Sequence, residues 1–162
     1  GTPLVMETHE LLAPQNTIIN TETPLSPLSV ACIFVILCTI MMIVSNRKHK
    51  MYWVWDTILM LAAGLIGIIY FMMLFSQHPC VSLNVIICFF NPLPLFFLYK
   101  TIKKTRRQEA NIWWKIWGSL IILGFIGTFF QRIPTAVLIV ALFLLLHCVL
   151  HIRLDRPVRK YN

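Results

Sequence analysis

Charge is what this sequence has least of. Charged residues make up 12% of the 162, and only six of them are acidic. With 58% hydrophobic residues and a mean hydropathy of +0.77, a soluble globule is excluded, because too little polar surface remains to cover one. Lys and Arg are absent from residues 1–26 and again from Ser76–Asn84. No Cys-x-x-Cys pair and no Cys/His metal spacing occurs, so the five cysteines encode neither a metal motif nor a readable disulfide framework. The first residues also lack an initiator Met and the charged-then-apolar layout of a signal peptide.

What is present is apolar sequence in five blocks: Pro27–Val44, Tyr52–Phe75, Val85–Tyr99, Ile112–Phe130 and Pro134–Ile152. The basic residues fall between them in alternation. Arg47, Lys48 and Lys50 follow the first block, and Lys100, Lys103, Lys104, Arg106 and Arg107 follow the third. Lys115 opens the fourth block, and Arg153, Arg156, Arg159 and Lys160 close the chain. Of the 14 Lys and Arg residues only Arg132 lies on the other set of faces. Cytoplasmic loops retain Lys and Arg, so the expected fold is an all-α integral membrane bundle of about five transmembrane helices, N-terminus periplasmic and C-terminus cytoplasmic. The basic clusters fix topology and meet anionic lipid headgroups; their placement beside spans argues against nucleic acid.

A spanning helix needs about 20 apolar residues. The third block is short and carries Pro92 and Pro94, which predicts a kinked or partly re-entrant element. Tyr52, Trp53 and Trp55, together with Trp113, Trp114 and Trp117, read as aromatic belts at the inner interface. Lys115 would snorkel from there to the headgroups. Ala63 with Gly67, and Gly124 with Thr128, are small-residue pairs suited to close helix packing.

Three regions follow: a periplasmic tail or linker over 1–26, a five-helix membrane domain over 27–152 and a basic cytoplasmic tail over 153–162. A segment placed outside without an export signal of its own implies an upstream exported domain. The apolar pieces within Gly1–Pro14 suit the end of a β-rich soluble domain, and Asn16–Ser26 reads as a linker.

Polar groups inside or beside the spans are the candidate site residues. The loop Phe75–Asn84 contains His78, Pro79 and Cys80, and the third block contains Asn91. Burying Asn91 without a partner costs several kcal/mol, so it must face protein, water or a headgroup. His78, Asn84 and Asn91 are therefore the candidates for facing lipid or substrate. Pro79 and Pro92 are structural, turning the chain and breaking the third span. Asp56 is read as structural too, in an interfacial ion pair with Lys50, Lys115 or Arg107. His147 and His151, four residues apart on the last block, share one helix face suited to a metal or haem. Their position near the cytoplasmic end favours an interfacial role, and neither metal nor cofactor is expected. Cys32, Cys38, Cys88 and Cys148 act as small hydrophobes. Cys80 has no orienting group beyond His78, so no catalytic residue is assigned in this chain.

Several of these segments resemble the membrane portion of the Lnb-type lipoprotein N-acyltransferases of Bacteroidota. They are Thr23-Pro24-Leu25-Ser26-Pro27-Leu28, Asp56 followed by Ala63-Gly64-Leu65-Ile66-Gly67, and Phe75-Ser76-Gln77-His78-Pro79 with Asn84 and Asn91-Pro92-Leu93. The resemblance runs through the third span and is weak beyond it. It implies an inner-membrane enzyme that moves an acyl chain from a phospholipid donor onto the α-amino group of a diacylglyceryl-cysteine lipoprotein. It also implies that a papain-like periplasmic domain, absent from this chain, supplies a nucleophilic Cys/His pair. The membrane part would anchor that domain and guide lipid to it. The alternative is a non-catalytic anchor or small subunit of a larger envelope or transport complex. A transporter is disfavoured by the lack of broken-helix repeats and midplane charges.

Overall fold

Within hydrocarbon every backbone N–H and C=O must find a partner inside the protein, and a helix does this within one segment. The computed structural model describes residues 26–75 and 84–154, and these are helical throughout apart from short connections. Six helices follow in order: α1 Pro27–Lys48, α2 Trp53–Met73, α3 Ile86–Phe89, α4 Leu93–Arg106, α5 Trp113–Gly127 and α6 Thr135–Leu154. They correspond to the five apolar blocks, with α3 and α4 the two pieces of the third. Four spans have the length and apolarity to cross a membrane: α1, α2, the broken Ile86–Arg106 and α6. The fifth, α5, has 15 residues.

Local chemistry sets the boundaries. Ser26 Oγ accepts the Ser29 N–H at 3.1 Å and Pro27 takes the first helical position, so α1 begins where its free donors are capped. It ends at His49, whose φ of 47° is left-handed, while the Lys50 N–H returns to Ser45 O. The third span breaks where Phe90 turns extended (φ −117°, ψ 103°) ahead of Asn91-Pro92. Two side chains then stand in for backbone acceptors: Asn84 Oδ1 receives the Ile86 N–H at 3.0 Å and Asn91 Oδ1 the Leu93 N–H at 3.2 Å. The kink anticipated from Pro92 and Pro94 is therefore present. The helix then runs past the apolar block to Arg106, because Lys and Arg are good helix formers with long apolar stems.

Two glutamines pin the ends of the bundle. At one end Gln108 bridges the α1–α2 connection: its Oε1 accepts the Met51 N–H and its Nε2 donates to Met51 O, each at 2.8 Å. At the other end Gln131 Oε1 accepts the Val85 N–H at 2.8 Å. In the interior, α2 packs on α4, α1 on α6, α5 on α6 and α3 on α5. The buried stripe of α2 runs Asp56, Leu59, Met60, Ala63, Gly64, Gly67, the spacing of one helix face. Gly67 lets α2 touch the Asn91 backbone at the break, and Gly124 lies against the Phe89 ring. Ile33, Ile36, Leu37 and Ile40 of α1 stay exposed, as a lipid-facing surface requires.

The tryptophans of α5 depart from the belt expected of them. Trp113, Trp114 and Trp117 are each 0% exposed and stack in the interior: Phe97 on Trp113 at 4.7 Å, Trp113 on Trp117 at 5.8 Å and Trp114 on Trp117 at 5.9 Å between ring centroids. Their spacing of one, three and four residues puts all three on the side of α5 facing α4 and α6. Trp53 is exposed, with the Arg106 guanidinium 4.0 Å above its ring. Lys115 is exposed.

Candidate functional site

Asp56 is the one acidic residue placed within an apolar block, and the fold buries it completely, at 0% exposure. Its partners are not the Lys50, Lys115 or Arg107 expected of an interfacial ion pair. His147 Nε2 lies 2.9 Å and His151 Nε2 3.0 Å from Asp56 Oδ1, and the Thr105 hydroxyl donates to Oδ2 at 3.0 Å. An ionised carboxylate in a dry environment requires such donors. Arg107 pairs instead with Glu109 at 3.8 Å on the exposed surface.

Four helices build this cluster. Asp56 comes from the first turn of α2 and Thr105 from the last turn of α4. His147 and His151 lie one turn apart on α6, and Trp114 of α5 packs both imidazoles. The Trp114 ring stacks on His151 at 3.9 Å and 14°, and meets His147 edge-on at 5.3 Å and 81°. The two histidines are 3% and 2% exposed, so the interfacial reading of this pair is corrected: the face they share points into the bundle. Next to the cluster, Thr101 Oγ1 accepts from Asn111 Nδ2 at 2.9 Å, and Asn111 Oδ1 accepts the Trp113 N–H at 3.2 Å. Thr101, Thr105, Gln108 and Asn111 carried no role in the sequence reading. The available signal was the Thr101/Thr105 spacing of four residues, matching that of His147/His151 on another helix.

The sequence-derived candidates divide. Asn91 is buried, caps α4 through Oδ1, and its Nδ2 has no hydrogen-bond partner among the described residues. Asn84 is half-buried and caps α3. Pro92 forms the N-cap position of α4. His78, Pro79 and Cys80 lie outside the described residues.

The second feature is an apolar groove of about 550 Å³ between α1, α2 and α6, lined by Val30, Phe34, Ala63, Tyr70, Phe90 and Val140 among others. It occupies the end of the bundle where α1 begins and α2 finishes. Its volume falls in the roughly 300–1,000 Å³ range of small-ligand sites. Leu59 and Leu144 also line it, and each lies three residues from a cluster member, Asp56 and His147 respectively. On a helix that is one turn, about 4.5 Å of rise. The groove and the polar cluster are thus neighbours along two helices.

No curated protein and no solved structure matches the chain. The family model described as the Lnb transmembrane domain matches residues 19–157. That match takes in α1 to α6, the groove and the buried cluster, and this multi-pass membrane protein accordingly belongs to the Lnb transmembrane domain family.

Proposed function

We propose that this chain is the membrane domain of a lipoprotein N-acyltransferase of the bacterial inner membrane, and that its groove receives an acyl chain of the phospholipid donor. Membership of the Lnb family supports the reaction class. The observation that carries the assignment to this domain is the groove itself: apolar, between spans, and large enough for a small ligand. The reaction forms an amide between the acyl carbonyl carbon and the α-amino group of the lipoprotein's diacylglyceryl-cysteine. The phospholipid ester breaks and a lysophospholipid leaves. The nucleophilic Cys/His pair belongs to a periplasmic domain anchored by these helices, with a thioester as intermediate. His78, Asn84 and Asn91 are the proposed donors to the headgroup or ester carbonyl on that side, Asn91 through Nδ2.

Filling the groove tests this. Ala63→Trp or Val140→Trp in the complete protein is expected to lower lipoprotein N-acylation at least tenfold, read by mass spectrometry of lipoprotein N-terminal peptides at matched membrane levels. Ile122→Trp, on the exposed surface of α5, is expected to leave it unchanged. Full triacylation in both groove variants would reduce the domain to an anchor.

The reaction requires the groove end to face the periplasm, the orientation that the distribution of Lys and Arg favours. An impermeant thiol reagent is therefore expected to label Cys80 in intact spheroplasts, and Cys80→Ser to abolish that labelling. Labelling of Cys80 only after the membrane is broken open would reverse the topology and with it the proposed site.

A further inference from the structure

We propose that Asp56, His147 and His151 form a binding site for one divalent transition-metal ion of the zinc class, tying α2 to α6. The ligand atoms of the three residues lie within 4.8 Å of one another, and all three residues are buried. Both imidazoles direct Nε2 at the same carboxylate oxygen, at 2.9 and 3.0 Å. In a tetrahedron with bonds of about 2.0–2.1 Å to zinc, ligand atoms stand about 3.3 Å apart. Each Nε2···Oδ1 separation is therefore within a few tenths of an ångström of that spacing, and all three ligand atoms lie within 4.8 Å.

The surroundings match what a metal ligand set needs. Histidines four apart on one helix face present two nitrogens to one point. The Thr105 hydroxyl holds Oδ2, leaving Oδ1 as a single oxygen donor. Trp114 fixes the planes of both rings, stacked on one and edge-on to the other. Imidazole nitrogen with carboxylate oxygen suits zinc. Charge points the same way. With neutral imidazoles the three ligand groups together carry one negative charge, which a divalent cation on Nε2, Nε2 and Oδ1 would offset. Three protein ligands leave the fourth position of a tetrahedral ion for water.

The untagged chain, purified in detergent without chelator, is expected to carry about one zinc ion per molecule by elemental analysis. After stripping with a soluble chelator, Co2+ is expected to restore one equivalent with the visible d–d absorption of a tetrahedral nitrogen/oxygen site. Thr105→Val keeps every ligand and is expected to weaken binding about 10–100-fold. The pair His147→Ala with His151→Ala is expected to lose the cobalt spectrum. Should that pair fail to fold, the wild-type chain and Thr105→Val carry the decision. The inference is overturned if the stripped wild-type chain takes up neither Zn2+ nor Co2+ stoichiometrically, which leaves a purely hydrogen-bonded triad. A cobalt spectrum that survives loss of both histidines overturns it as well, by placing the ion elsewhere. Neither outcome bears on acyl transfer, which is read separately through the groove variants.

Discussion

Gly67→Ala is expected to be among the most damaging single-methyl additions this bundle can receive. A Cβ at Gly67 stands 2.6 Å from Asn91 Cα and closer still to the Asn91 carbonyl carbon. The obstacle is backbone, so no rotamer change relieves it. Overpacking of a tight interior typically costs about 1–3 kcal/mol, more where the neighbour cannot yield. The Asn91 segment is where the third span breaks and α4 is capped, so the strain falls on the least regular part of the fold. Gly118→Ala is the matched control, since its added methyl meets Cys148 Cβ at 3.4 Å, an ordinary contact. Thermal unfolding in detergent is expected to show a midpoint lowered by roughly 5–10 °C for Gly67→Ala and little change for Gly118→Ala. Equal midpoints would mean that α2 and the break are not in contact.

Loss of an imidazole from the buried cluster should be as severe. His147→Leu removes one of the three donors to Asp56 and leaves the carboxylate under-compensated in a dry site. Breaking one partner of a buried charged group typically costs about 3–5 kcal/mol. Thr105→Val deletes a neutral hydroxyl donor instead and is expected to cost about 1 kcal/mol. In chelator-stripped protein, replacing Asp56, His147 and His151 together by leucine is expected to recover most of the loss, because apolar side chains leave no charge unpaired. The check is the order of denaturation midpoints: wild type, then Thr105→Val, with His147→Leu lowest and the triple variant above it. A His147→Leu protein as stable as Thr105→Val would show that water reaches the carboxylate.

The spans were legible because each depends on local properties: apolar length, flanking charge and the prolines of the third block. Every helix begins or ends within a few residues of a sequence-derived boundary except α4, which extends through Lys100–Arg106 where hydropathy falls but helix propensity does not. Partners were harder to read. Charge and expected depth point Asp56 to Lys50, Lys115 or Arg107, yet its partners are Thr105, His147 and His151 on two other helices. Hydropathy says which residues avoid water and nothing about which spans adjoin. The same limit explains the tryptophans: Trp113, Trp114 and Trp117 lie at a helix start beside a basic segment, where either a belt or a core fits. Only the presence of α4 and α6 on that side of α5 decides for the core. The groove had no sequence signature, because its walls come from three separate spans.

The shortness of α5 bears on the bilayer itself. Fifteen helical residues rise about 22 Å, against a hydrocarbon thickness of about 30 Å. Beyond its end Phe129 and Phe130 are 87% and 89% exposed, two rings left uncovered among the described residues. Lipid must then compress along Ile122, Leu123 and Ile126, or the rings must reach into the headgroup layer. Lipid that compresses thins the leaflet beside α5, whereas rings that reach outward anchor the helix end among the headgroups, where aromatic side chains are at home.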